Sequence, residues 1–263
     1  MSSAAFDPDD DPAQAAAAAR ARQEAGLMED DLLREDPARL IADPPTPRDA
    51  ATLILYRLSP EGPRLLMGCR SSGHDFMPDK YVFPGGRVDE EDSEVPSLSE
   101  LSPRELHALS IGCSRPPRAF ALTAVREMFE ETGLVVGRAG AGPAASPPAW
   151  SAFFEQGAAP SLEGLQFIGR AITPPMRHKR FDARFFMANA DEALIDGRPP
   201  ADSRELADLR WFTLAEAGRL DLPNVTRFVI SEIEARLIGG QSLAPFYLYW
   251  TLSGHVRERI GQE

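Results

Sequence analysis

Cysteine is scarce: the 263-residue chain holds two, Cys69 and Cys113, too few for a disulfide framework and without any paired metal-ligand spacing. Such a chain suits a reducing compartment, and the cytoplasm is the expected one. The four histidines, His74, His107, His178 and His255, show no spacing that would hold a transition metal. No apolar run approaches the ~20 residues that a membrane helix needs. The acidic, alanine-rich N-terminus lacks the apolar core of a secretory signal, so neither membrane insertion nor secretion is expected. Positive charge is also short, with 28 Lys and Arg against 40 Asp and Glu and a net charge of −12. A nucleic-acid binder needs a basic footprint for the phosphate backbone, and a general role of that kind is not expected either.

Much of the acidity is local. Residues 1–45 carry eleven acids against four arginines, mixed with Asp-Pro pairs, the alanine tract Ala15 to Ala19 and the stretch Asp43-Pro-Pro-Thr-Pro47. Residues 1–47 therefore read as a flexible tail, helical at most around Gln14 to Met28, ending in a stiff proline linker. A single main domain is expected over 48–240, interrupted by an insertion at about 93–117, with 241–263 as a C-terminal extension. Ala51-Thr-Leu-Ile-Leu-Tyr56 and Arg64-Leu-Leu-Met-Gly-Cys69 are β-type runs around the turn chemistry of Ser59-Pro-Glu-Gly-Pro63, which predicts a hairpin. Tyr81-Val-Phe83 leads into Pro84-Gly-Gly86. A helix is predicted from Pro117 to Thr132, stopped by Gly133. Strands are predicted at Leu134–Val136, Leu165–Ile172, Phe181–Ala188 and Leu209–Phe212, and a closing helix at Val225–Ile238. The loop from Gly137 to Pro148 reads as an exposed, tolerated insertion. Strands before, between and after helices point to an α/β sandwich around a mixed sheet.

The chemistry concentrates in Arg126-Glu-Met-Phe-Glu-Glu-Thr-Gly133. At about 100° per residue, Glu127, Glu130 and Glu131 share one third of the helix circumference, with Leu122, Val125 and Phe129 opposite. Three like charges within a turn repel, and a hard divalent cation such as Mg²⁺ or Mn²⁺ removes that repulsion while keeping positions open for water and phosphate. For a glutamate-rich helix alone, a solvated face explains the same pattern. Context shifts the balance: an apolar strand runs directly into Pro84-Gly-Gly86, where glycines let backbone approach closely.

Together, the strand with Pro84-Gly-Gly86 and the run Arg126-Glu-x-x-Glu-Glu-x-Gly-Leu134 resemble the Nudix box, the loop-helix signature of the Nudix hydrolases. Gly86 takes the first position and Asp92 stands where glutamate is usual. Arg126 would normally follow after seven residues, but thirty-three, Ser93 to Val125, intervene. Within them Ser102, Pro103 and Glu105 form a capping box for a short helix through Leu109, and a lid, a substrate wall or a surface excursion all fit. Arg70-Ser-Ser, Phe76-Met-Pro78, Thr173-Pro174 and Arg180-Phe-Asp-Ala-Arg-Phe-Phe186 extend the resemblance to the branch with an interrupted box that includes coenzyme A diphosphatases.

The resemblance implies a Nudix-type α/β/α sandwich and metal-dependent hydrolysis of a pyrophosphate bond in a nucleoside diphosphate linked to another moiety. Coenzyme A or acyl-CoA is the first expectation, ADP-ribose or NADH the next, and a weakly catalytic nucleotide-binding module the alternative. It also implies Glu127 and Glu131 as principal metal ligands, Glu130 and the Gly85 carbonyl as further ones, and Arg126 as the residue orienting the carboxylates. Glu205 is the candidate general base. Arg70, Arg180 and Arg184 are candidate phosphate contacts, with His74 weaker. A homodimer stays open.

Overall fold

The computed structural model describes residues 41–73, 77–113, 115–251 and 254–261. They fall within the compact unit Glu35–Glu263; the other unit, Met1–Arg34, lies outside the described residues, as do the expected helix at 14–28 and most of the tail.

The hairpin forms where turn chemistry placed it. Strand β1, Arg48–Ser59, turns tightly into β2, Gly62–Arg70, in antiparallel register with Tyr56 opposite Leu65. Alternation along β1 sends Ala51, Leu53 and Leu55 into one apolar core while Ile54, also fully buried, faces the other side. Both faces are thus covered, which is why the strand reads as an almost continuous apolar run.

Short strands β3, Tyr81–Val82, and β4, Gly85–Arg87, follow. Helix α1, Pro103–Ser110, and helix α2, Pro117–Thr132, come next. Gly133 ends α2 at φ 71°, its N–H donating to Phe129 O at 2.8 Å, a left-handed cap that glycine adopts without a Cβ penalty. Beyond it lie β5 (Gly137–Ala139) and β6 (Ala158–Pro160), which pair with each other. Strands β7 (Gln166–Ile172), β8 (Phe181–Asn189) and β9 (Leu206–Thr213) lead to helix α3, Asn224–Leu237, and then to β10 (Phe246–Thr251) and β11 (Gly254–Arg259).

Among the described residues a nine-stranded mixed sheet runs β11-β10-β7-β8-β1-β2-β3, with β4 on β1 and β9 on β2. β1 pairs parallel to β8, and β10 parallel to β7. Helix α2 closes one face over the core that holds Leu53 and Leu55. Helix α3 closes the other, where Phe228 meets Phe246 edge-on at 5.1 Å. The result is the expected α/β/α sandwich, and the extension after residue 240 supplies two of its strands.

Three local expectations are corrected. Leu134–Val136 is not a strand: all three residues are buried, yet Val136 makes only an isolated bridge to Leu194, and the strand begins at Gly137. Apolar character there reflects core filling rather than a ladder. The Gly137–Pro148 segment is not a plain surface loop, since it opens with β5 and runs into a helical turn, Pro148–Trp150, that buries Trp150 completely. Finally, Ser102 caps α1 by accepting from Glu105 N at 3.2 Å, but Glu105 does not close the box. Its carboxylate accepts from Phe167 N instead, at 2.9 Å, pinning the insertion to the irregular start of β7.

Candidate active site

The last two turns of α2 carry the glutamates. Leu122, Val125 and Met128 are fully buried beneath them, and Phe129 packs edge-on against Phe153 at 5.5 Å. With that side docked, Glu127 and Glu131 face the sheet and are mostly buried, while Glu130 is exposed.

The sheet meets them with backbone. The Pro84 carbonyl accepts from Leu53 N at 3.1 Å, and Gly85 and Gly86 then pair with Thr52 and Ala51. Gly85 N donates to Glu131 Oε2 at 2.9 Å. A Cβ at Gly85 would stand 2.5 Å from Ala51 O, and one at Gly86 would stand 2.5 Å from the Glu127 carboxylate. Close approach, rather than an unusual φ, therefore demands both glycines.

Burial and crowding set the charges. Burial pushes Glu127 up to about 7, offset in part by Arg126 and reinforced by the negative charges of Glu130 and Glu205. Glu131 is raised well above the ordinary carboxylate range, by burial first and by Glu127 next, against the Gly85 N–H and Arg70. Burial also raises Glu130.

Arg126 links this face to the start of the excursion. Its Nε and Nη2 contact the two oxygens of Asp92 at 2.9 and 3.1 Å, and Nη2 also donates to Arg87 O at 2.9 Å. Nη1 donates to Glu127 at 2.8 Å and Glu130 at 3.2 Å. Asp92 is wholly buried and also accepts from Thr123 Oγ1 and Trp150 Nε1. Burial alone would raise its carboxyl, but the Arg126 bond and these donors hold it below the ordinary range. Thr123 and Trp150 escaped the sequence reading because neither lies in the recognisable motif.

Glu205 is exposed at the start of β9, where β9 pairs with the end of β2, Leu206 opposite Arg70, and the Glu205 carbonyl accepts from Ser71 N at 3.0 Å. The half-buried Arg70 feels the charges of both Glu131 and Glu205, against a burial that lowers its own proton affinity. Glu127, Glu131, Glu205 and Arg70 thus share one electrostatic neighbourhood.

Two expected phosphate contacts are committed elsewhere. Arg184 is 2% exposed, held by Asp182 and Asp49 with its guanidinium 4.3 Å from the Phe120 ring centre. It is a buried structural cation. Arg180 donates to the carbonyls of Thr173 and Pro45, tying the segment before β1 to the β7–β8 connection. His74 lies outside the described residues.

An all-oxygen donor set with two carboxylates raised by burial and repulsion fits a hard cation, which would remove that penalty. Among the described residues no three acidic, histidine or cysteine side chains already converge on one point; Arg126 and Gly85 N hold the glutamates side by side.

No protein-family model matches the chain. An acyl-coenzyme A diphosphatase of Gallus gallus, NUDT19, is 29% identical to it, covering 65% of this chain and 62% of that protein. Nudix hydrolase 7 of Caenorhabditis elegans is 27% identical, covering 67% of this chain and 57% of that protein. The chain thus spans about three-fifths of the length of these curated relatives. The crystal structure of a Nudix hydrolase from Alicyclobacillus acidocaldarius superposes with a TM-score of 0.55 at 27% identity, covering 71% of this chain and 90% of that one. With the split glycine-loop and carboxylate-helix motif assembled in space on a matching fold, the chain is similar to the Nudix hydrolases in sequence, motif and architecture.

Proposed function

We propose that this chain hydrolyses the pyrophosphate bond of a nucleoside diphosphate joined to a second moiety, with a coenzyme A thioester or free coenzyme A as substrate. The observation that carries the reading is the seating of Glu127 on Gly86 and of Glu131 on Gly85 N, which builds a rigid carboxylate face against bare backbone. The likeness to the chicken acyl-coenzyme A diphosphatase supports the choice of substrate.

Glu127 and Glu131 would hold Mg²⁺ or Mn²⁺, with Glu130 and the Gly85 carbonyl as further oxygen donors. The cation, when bound, supplies charge neutralisation for the bridging phosphates and a lowered pKa for water. Arg126 orients Glu127 and Glu130 through its Nη1. Arg70, beside Glu131 and Glu205, receives a phosphate oxygen. Glu205 takes the proton of the attacking water at its carboxylate, and the exposed position leaves it free to pass that proton to solvent. Free Cys69 and Cys113 fit a reducing cytoplasm, and no helix among the described residues is long and apolar enough to cross a membrane.

A panel of coenzyme A, acyl-CoA, ADP-ribose and NADH assayed with each metal tests the proposal. Release of 3′,5′-ADP with the phosphopantetheine half is expected; cleavage of ADP-ribose alone would overturn the substrate. A second reading, nucleotide binding without turnover, is favoured by the grip of Arg126 on Glu127 and Glu130. Tight binding of every compound with no product under either metal would establish it.

A further inference from the structure

The stretch Gly137 to Pro148, which reads in sequence as a tolerated insertion, leads directly into a turn that delivers one side chain to the middle of the molecule. The helical turn Pro148–Trp150 places Trp150 at zero exposure, 5.3 Å from the Phe153 ring. A large apolar ring needs no further reason to be there. Its indole N–H, however, does not point at a backbone carbonyl. It donates to Asp92 Oδ1 at 2.9 Å.

Asp92 is saturated with donors. Oδ1 takes Trp150 Nε1 and Arg126 Nε; Oδ2 takes Thr123 Oγ1 at 2.6 Å, Asp89 N at 3.0 Å and Arg126 Nη2 at 3.1 Å. Arg126 presents a rigid planar fork. Fixing its Nε edge on Asp92 therefore fixes where Nη1 meets Glu127 and Glu130. The chain of contacts runs without a gap from Trp150 to the carboxylate face.

We propose that Trp150 is a positioning residue for that face: its indole N–H sets the rotation of the Asp92 carboxylate, Asp92 sets the plane of Arg126, and Arg126 sets Glu127 and Glu130 for a divalent cation. The inference rests on the reading of the face as a metal site. Partners bonded directly to metal ligands govern affinity as well as stability; Trp150 stands three hydrogen bonds from Glu127 and acts on it through Asp92 and Arg126.

The test is Mg²⁺ binding to the full chain, followed by calorimetry and by the indole N–H signals of its three tryptophans. Trp150→Phe identifies the Trp150 signal by its loss. Should that variant fail to fold, Trp211→Phe and Trp250→Phe identify it by elimination, and the wild-type signal then decides. Mg²⁺ is expected to move the Trp150 signal while those of Trp211 and Trp250 hold still, and Trp150→Phe to weaken Mg²⁺ on the order of tenfold. A purely core-filling tryptophan would lower the melting temperature and leave both readings unchanged. Heat of binding with an unmoved Trp150 signal, or with unchanged affinity in a folded Trp150→Phe, overturns the inference alone. Absence of any binding heat overturns the metal reading and this inference with it.

Discussion

Gly86 and Glu127 touch through an absence: the carboxylate of Glu127 occupies the volume that a side chain on Gly86 would fill, 2.5 Å from where its Cβ would stand. Gly86→Ala should therefore displace the carboxylate rather than strain the backbone. A shift near an ångström at a reacting centre costs ~10²-fold, so kcat should fall by about that much while the melting temperature changes little. Steady-state kinetics beside thermal unfolding measure both; full activity in Gly86→Ala would mean that Glu127 is not held where it must act.

The glutamates should separate by role. Glu127→Gln and Glu131→Gln should raise the Mn²⁺ concentration needed for activity and depress turnover by orders of magnitude, with the fold retained because removing a buried like charge relieves repulsion. Glu205→Gln should spare metal dependence and lower kcat by ~10²–10⁴ if it is the base. Mn²⁺ activation curves for the three variants distinguish the roles, and an unaffected kcat in Glu205→Gln would send the search for the base elsewhere.

The metal-free chain should grow more stable on mild acidification. Glu127 is raised in the fold from an ordinary 4.5 to about 7, so the folded state binds its proton more tightly than the unfolded state. The associated stability is complete below about pH 4.5 and is lost as pH rises through about 7. Glu131 is shifted in the same direction. Urea unfolding in chelator between pH 5 and 8 should show this slope, with Glu127→Gln flatter. A slope of opposite sign in the wild-type chain would contradict the burial that causes it.

Arg184 and Arg180 should prove indifferent to substrate. Removing the buried Arg184 guanidinium leaves Asp182 with Arg170 and Asp49 with Arg115 as their remaining partners, so Arg184→Met should cost roughly 1–3 kcal/mol of stability. Whatever protein folds should keep its KM. Arg180→Ala should loosen the segment at Pro45 and likewise spare KM. A rise in KM without loss of stability would restore either residue as a phosphate contact.

The main lines of the fold were written locally. Continuous apolar runs on either side of turn chemistry marked β1 and β2, and the proline start and glycine stop marked α2 to the residue. The carboxylate face was legible for the same reason, because three glutamates on one turn share a side whatever they pack against. What could not be read was long-range. Leu134–Val136 is as apolar as a strand, but only the tertiary structure shows that no ladder awaits it. Arg184 looks like any surface arginine until Phe120, Asp49 and Asp182 enclose it. Trp150 lies fifty-eight residues from Asp92, just past a segment whose glycines and prolines suggest nothing beyond a loop.

The excursion from Ser93 to Val125 leaves the chain beside Asp92 and returns beside Arg126, and those two side chains are bonded at 2.9 Å. The loop is buttoned at its neck. Pro117 to Val125 already belongs to α2, so only Ser93 to Pro116 can vary in length, and there each doubling of a closed loop adds only about 0.6 kcal/mol of closure entropy. Ile111, exposed just past the end of α1, is accordingly a splice point: a tag or reporter threaded there would lengthen the excursion and leave its neck closed.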